Sequence, residues 1–247
     1  MTAPTWPDGR LVAFDTETTG VAYDSDRIVA AAVVETGGGL ETKVNEWLID
    51  PGMEIPEAAT AVHGITTERA RAEGAPAAAA VEEITAMLAS LMGAGHPLVV
   101  FNARFDLTLL DRECRRHDLV PLTDRLPGGQ LSPVIDPMVI DRQVDCLRPG
   151  SRKLPDLCRH WQVRHDGPHT PAADALAAAR LAWRIGHVFP RLGAMDLRAL
   201  HALQTEQAAK QAVSLQRYLR RTDSTAYVEP AWPYVPQTIN GTEGNQG

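Results

Sequence analysis

Cysteine is scarce in this chain: three residues in 247, at Cys114, Cys146 and Cys158. An odd number with no C-x-x-C spacing gives neither a disulfide framework nor a structural zinc site, and it suits a reducing compartment. Aromatic residues are also few, at 5%. Of the 24 basic residues only three are lysine, and the net charge is −7. Such a balance argues against a protein that grips duplex backbone over a long footprint. No run approaches the ~18–20 apolar residues of a membrane span. The start, with Pro4, Pro7 and Asp8, lacks the basic-then-apolar order of a secretory signal. A cytoplasmic protein that does not engage membranes is expected. The rest is an ordinary globular balance, 44% hydrophobic and 22% charged. That excludes whole-chain disorder and provides a core without staples.

Hydrophobic patterning orders the chain. Arg10 to Asp15 is a short apolar run ending in an acid, which reads as a buried strand. Residues 27–35 and 43–49, divided by the Gly37–Gly39 turn, read as a meander, and 97–101 and 133–136 make five strands. Pro51 to Glu57 reads as a loop. Val81, Ile84, Leu88 and Leu91 predict a helix over 76–91, and Leu107, Leu110 and Cys114 predict one over 106–117. Helical pieces follow at about 137–146 and 152–161, then a long Ala-rich helix over 171–187. Three leading strands followed by strands alternating with helices predict an α/β fold, a mixed sheet flanked by helices. After Pro190 comes one more helix, over 195–221, and then Pro230, Pro233 and Pro236. Residues 188–237 are thus expected to form a helical extension to a domain over 9–187, with 238–247 a disordered tail.

Three short segments carry the chemistry. On a strand, side chains at i and i+2 share a face. Asp15 and Glu17, in Phe-Asp-Thr-Glu-Thr-Thr-Gly, therefore converge where the first strand leaves the sheet. Like charges this close repel unless a cation lies between them; alone, the pair also fits an exposed polar strand end. Asp106 follows Asn102-Ala-Arg-Phe, directly after the apolar run Leu98 to Phe101, and alone it is an ordinary helix-capping acid. His169-Thr-Pro-Ala-Ala-Asp174 opens the late helix, with Thr170 suited to the N-cap and Pro171 to the first turn. Asp174 then lies one turn inside the helix and His169 in the loop before it, so both can reach one point.

Four acids and a histidine in this order and in these contexts resemble the DEDDh, or DnaQ-like, 3′–5′ exonuclease family over about residues 9–187. His63-Gly-Ile-Thr66 is similar to a segment that family carries ahead of its first long helix. Phe101 departs from it, since many members have His before the Asn. The resemblance implies an RNase H-like fold, a five-stranded mixed sheet flanked by helices, here with a C-terminal helical extension. It implies two Mg²⁺ or Mn²⁺ ions, hard cations suited to carboxylate oxygens. Asp15 would bridge both, Glu17 and Asp174 would complete one site, and Asp106 would help hold the second. His169 would be the general base, and Thr18, Thr19, His63, Asn102 and Phe105 would line a pocket for the 3′ terminus. The implied reaction is hydrolysis of terminal phosphodiester bonds of DNA, in replication or repair, releasing nucleoside monophosphates. An exoribonuclease acting on RNA 3′ ends is the alternative. A catalytically dead nucleic-acid-binding module is a third reading, against which every acid is present. The implied partners are nucleic-acid 3′ ends, single-stranded DNA or RNA, with a DNA polymerase a further candidate. Residues 1–60 carry a net charge of −8 and residues 142–164 a net +4, so the latter segment is a candidate track for the strand.

Overall fold

The computed structural model describes residues 5–167 and 169–237; the tail expected to be disordered lies outside them. The first apolar run forms the centre of the sheet. β1 (Arg10–Thr18) pairs antiparallel with β2 (Ile28–Gly37), and β2 with β3 (Lys43–Asp50). Gly37 has φ +82°, and a Cβ there would lie 2.6 Å from the Gly9 carbonyl oxygen, so the turn out of β2 requires glycine. Then follow α1 (Glu57–His63), α2 (Thr67–Glu73), β4 (Ala75–Pro76), α3 (Ala77–Gly93), β5 (Leu98–Val99) and α4 (Ala103–Arg116). The remaining elements are α5 (Leu122–Arg125), β6 (Val134–Ile135), α6 (Pro137–Val144), α7 (Leu154–Trp161), α8 (Pro171–Val188), α9 (Pro190–Gly193) and α10 (Leu197–Leu219).

The sheet order is β4-β3-β2-β1-β5-β6, with β4, β5 and β6 parallel to their inner neighbours. The mixed sheet flanked by helices is as expected, but it has six strands rather than five. The extra one, β4, is two residues long on the β3 edge. Ala and Pro are poor strand formers, and Pro lacks a ladder donor, so no pattern marks it. Helices α1 and α2 also went unmarked. The first buries no side chain and the second only Ala70, so neither has an apolar stripe.

β1 divides the core by simple alternation. Val12 and Phe14 join Ala31, Val33, Ile84, Leu88, Leu107 and Leu110 on the face covered by α3 and α4. Leu11 and Ala13 join Val34 and Val99 on the other face, against Ala175, Ala178, Ala179 and Ala182 of α8. The outer edge at β6 is closed by side chains of α10. Buried Gln204 accepts the Asp136 N–H through Oε1 (2.7 Å) and donates from Nε2 to the Val134 carbonyl (3.0 Å). His201 Nδ1 accepts the Val134 N–H (3.2 Å). The helix thus satisfies an edge that would otherwise present unpaired backbone groups.

The segment after α10 lies across α4. The Ala231 carbonyl accepts from Arg104 Nε (2.7 Å), and Thr108 Oγ1 accepts the Val235 N–H (2.9 Å). Trp232 is buried beside α4 and α10 and turns its indole N–H toward Asp136 Oδ2 (3.4 Å). Asp136, at the end of β6, also accepts the backbone N–H groups of Asn102 (3.1 Å), Ala103 (3.0 Å) and Met138 (2.9 Å). One carboxylate therefore serves the starts of α4 and α6 and the C-terminal segment together. Replacing it leaves several buried donors unpaired, each costing about 1–3 kcal/mol. Asp136→Ala should lower stability by roughly 2–4 kcal/mol in urea denaturation, and Asp136→Asn by less. A loss below about 0.5 kcal/mol, the size of an ordinary surface substitution, would show that these donors find other partners.

Candidate active site

The alternation that divides the core also divides the acids. With Leu11 and Ala13 on the α8 face, Asp15 and Glu17 continue that face. There they meet Asp174 in the first turn of α8, and the ligand oxygens of the three carboxylates lie within 4.8 Å of one another. Thr16, between them, points to the α4 face. Its amide (3.1 Å) and hydroxyl (2.6 Å) both donate to Asp106 Oδ1. Asp106 is thus close to the cluster but not in it: it reaches the end of β1 through Thr16. The register of β1 against β2 shifts between Glu17 and Thr18, which ends the regular ladder just past the acids.

Crowding shows in the electrostatics. Burial and the charges of Asp106, Asp174 and Glu17 hold the Asp15 carboxyl well above the usual carboxylate range. Burial, then Asp174 and Asp106, push Glu17 up to about 7. Asp106 is also pushed up to about 7, burial outweighing the Thr16 bonds that favour its charged form. A set of oxygen donors this close, with Asp15 and Glu17 raised by burial and by neighbouring charges, fits a hard divalent cation.

The two histidines near α8 have different settings. His169 is exposed in the loop before the helix with φ +68°, and its backbone N–H faces Asp174 Oδ2 at 3.4 Å. Thr170 takes the N-cap position and Pro171 the first turn, although the Thr170 hydroxyl donates to the Gly167 carbonyl instead of capping. His165, which the spacing argument did not single out, is the residue that holds Asp174. Its side chain is 8% exposed and its Nε2 lies 2.5 Å from Asp174 Oδ1. The only sequence signal is a second histidine four residues ahead of the first.

The residues expected to line a terminal pocket ring the same end of the sheet without forming one tight cluster. His63, at the end of α1, shares a cavity of about 310 Å³ with His169, Trp47 and Arg69. Its Nδ1 accepts the Ile65 N–H (3.1 Å), which leaves the proton on Nε2. That Nε2 is shielded and has no hydrogen-bond partner among the described residues. Burial lowers the His63 pKa, so the neutral ring is favoured. Thr18 donates to the Gly20 carbonyl (2.6 Å). Thr19 is buried: its amide donates to the Arg27 carbonyl (3.0 Å) and its hydroxyl to Asp26 (2.9 Å). The Thr19 amide is therefore occupied within the loop. Asn102 is exposed with φ +57°, and Phe105 is partly buried against the core.

The basic segment at 142–164 is largely neutralised. Arg148 (2.8 Å) and Arg152 both bind the fully buried Asp141, which also accepts the Trp161 indole N–H (2.7 Å). Arg159 pairs with Asp156 and Arg164 with Asp166. Most of the expected positive track is thus internal scaffolding; Arg142 and Lys153 make no ion pair among the described residues.

A family model described as exonuclease, the RNase T type, matches residues 12–182. The chain belongs to this exonuclease family. The match spans β1 through most of α8 and so takes in every acid of the site. Among curated relatives of this exonuclease-family chain, a DNA polymerase III subunit epsilon-like protein of Rhodobacter capsulatus is 34% identical over 202 residues, 79% of this chain and 26% of its own length. A PolC-type DNA polymerase III of Streptococcus mutans is 30% identical over 70% of this chain and 11% of its own. The exonuclease-family chain therefore spans only a fraction of these relatives. E. coli exonuclease I in complex with a dA16 oligonucleotide superposes with a TM-score of 0.60 at 21% identity, over 74% of this chain and 42% of that one. At that identity the likeness establishes the shared RNase H-like fold. No described helix is long and apolar enough to cross a membrane.

The raised carboxyls make metal binding and stability interdependent. Glu17 keeps its proton to about pH 7 in the folded state but loses it near 4.5 when unfolded. Asp106 behaves alike between 3.8 and about 7. In that window the folded state binds more protons, so these groups make stability fall as pH rises through it. Mg²⁺ should therefore raise Tm more at about pH 8 than at about pH 5. Asp15→Asn should raise the metal-free Tm at about pH 8, by about 2–4 °C for each kcal/mol of repulsion relieved, and blunt the Mg²⁺ increment. A metal-free Asp15→Asn protein melting below the wild type at about pH 8 would contradict the repulsion.

Proposed function

We propose that the protein is a metal-dependent 3′–5′ exonuclease that hydrolyses terminal phosphodiester bonds of DNA and releases nucleoside monophosphates. The observation that carries the reading is the convergence of Asp15, Glu17 and Asp174 at the end of β1, with Asp106 joined to the same strand through Thr16. Asp15, Glu17 and Asp174 would hold one divalent cation, Mg²⁺ or Mn²⁺, and Asp106 with Asp15 a second. When bound, such ions stabilise charge on the phosphoryl group and on the leaving oxygen.

The protein's own groups do the rest. His169, exposed beside Asp174, takes a proton from the attacking water at one ring nitrogen. A general base acts through its neutral form, with a ring nitrogen free to accept that proton. His165 keeps the Asp174 carboxylate in one orientation. His63, Asn102 and the exposed edge of Phe105 meet the terminal nucleotide, Phe105 by stacking on a base. DNA rather than RNA is supported by the DNA polymerase III relatives, which also suggest a DNA polymerase as partner.

The test is a product ladder from 5′-end-labelled single-stranded DNA and RNA with Mg²⁺, beside a circular strand. The expected result is stepwise 3′ shortening of DNA, a resistant circle and no reaction in EDTA. Faster digestion of RNA would make the enzyme an exoribonuclease, and cutting of the circle would make it an endonuclease. In single-turnover measurements His169→Ala should slow the chemical step by about 10²–10⁴-fold, with Mg²⁺ affinity little changed. If His165→Ala shows that pattern and His169→Ala does not, the base is His165.

A further inference from the structure

A second cavity lies on the far side of β1 from His63. It has a volume of about 230 Å³ and opens between the starts of α4 and α6, the Ala208–Ala212 side of α10 and the C-terminal segment. Its polar lining is Asn102, Arg104, Arg142 and Gln211, with Asp136 at its base. Among the described residues neither arginine has a carboxylate oxygen within 4 Å. Arg104 is steadied through Nε by the Ala231 carbonyl, which leaves its terminal nitrogens for another acceptor. The nearby acids are already engaged. Asp136 accepts three backbone N–H groups and faces the Trp232 indole, and Glu229 accepts the Ala231 N–H (2.8 Å) and the Tyr227 hydroxyl (3.2 Å). Two guanidinium groups thus face one small cavity; Asp136 and Glu229 are near enough to attract Arg104, but no described carboxylate is in contact with either arginine.

We propose that this cavity is a phosphate subsite for the nucleic-acid strand, receiving a backbone phosphate away from the 3′ end. The inference rests on the nuclease reading above and adds to it a place for the rest of the strand. Position supports it. The strands β1, β5 and β6 are consecutive in the sheet, so the carboxyl end of β6, where the cavity opens, is two strand positions from β1, about 10 Å across the sheet at ~4.8 Å per strand. His63 lies on the opposite side, toward β2 and β3. A strand with its terminal nucleotide against His63 and its scissile phosphate at Asp15 continues toward Asn102 and the two arginines. Guanidinium forks suit phosphate oxygens, and the Gln211 amide adds a donor. Half of the lining comes from residues 208–232, beyond the 12–182 that the family model matches, so this subsite belongs to this chain rather than to the family's common core.

The experiment measures binding of fluorescein-labelled oligothymidylate, about twelve nucleotides long, by anisotropy in EDTA across a salt series. It compares the wild type, Arg142→Gln and Arg142→Lys. The Arg142 side chain, on α6, makes no hydrogen bond to a described residue, so its replacement should spare the fold, and thermal melting checks that. Arg142→Gln should weaken binding by about 5–20-fold at low salt and flatten the plot of log K against log salt by about 0.7, the loss of one phosphate contact on a single strand. Arg142→Lys should restore the slope. A dinucleotide too short to reach the cavity should compete equally against all three proteins. An unchanged slope in Arg142→Gln, or a weakening equal for the dinucleotide, overturns the subsite. If the wild type shortens 3′ ends while the slope is unchanged, only the subsite fails. If it neither binds nor shortens oligonucleotides, the nuclease reading fails with it.

Discussion

Crowded negative charge at the end of one strand is the constraint around which this protein is built. Three carboxylates share a space under 5 Å across and a fourth joins them through a threonine. Nothing in the local backbone favours this; the acids are kept together by the hydrophobic layers on either side of β1. Its alternation sends Val12 and Phe14 one way and Leu11 and Ala13 the other, and the next residues have no choice of side. Asp15 and Glu17 must face α8, and Thr16 must face α4. Folding energy from the apolar half of the strand is thereby committed to opposing the repulsion in its polar half, which a bound cation would relieve.

Local spacing made much of this legible. The i, i+2 acids on a strand, an acid just after an apolar run and an acid one turn into a proline-started helix are readable because each depends on neighbours in sequence. The same holds for β1, β2, β3, α3, α4 and α8, whose periodicity is strong. What could not be read depends on distant partners. His165 matters because the fold brings its ring to Asp174, and nothing in Arg164-His165-Asp166 says so. Asp136 looks like the cap of α6 and is one, yet its larger task is to collect the amides at the start of α4, some thirty residues back in sequence. The arginines at 148 and 152 looked like a surface track, and buried Asp141 takes both of them inward. A run of like charge gives no sign of whether a buried counter-ion awaits it.

The closing of the β6 edge follows a similar logic. A two-residue strand offers little backbone to protect, but it carries Asp136, and slippage there would loosen the start of α4. Gln204 and His201 act in place of a neighbouring strand, supplying a carbonyl, an amide donor and a ring nitrogen where a ladder would supply backbone groups. The heavy use of alanine along α8 serves the opposite face, bringing that helix close enough to β1 for Asp174 to meet Asp15 and Glu17. The placement of the acids thus depends on small side chains in one layer and on long polar ones at the edge.

The segment across α4 also sets an order of events during synthesis. Ala231, Trp232 and Val235 leave the ribosome long after the helix they complete. Until they emerge, Arg104 lacks the carbonyl that steadies it, Thr108 lacks its amide and Asp136 is uncovered by the Trp232 ring. The acids of β1 can be assembled in a nascent chain whose α4 is not yet fastened. The working end of the molecule is therefore finished by nearly the last of its described residues to be made.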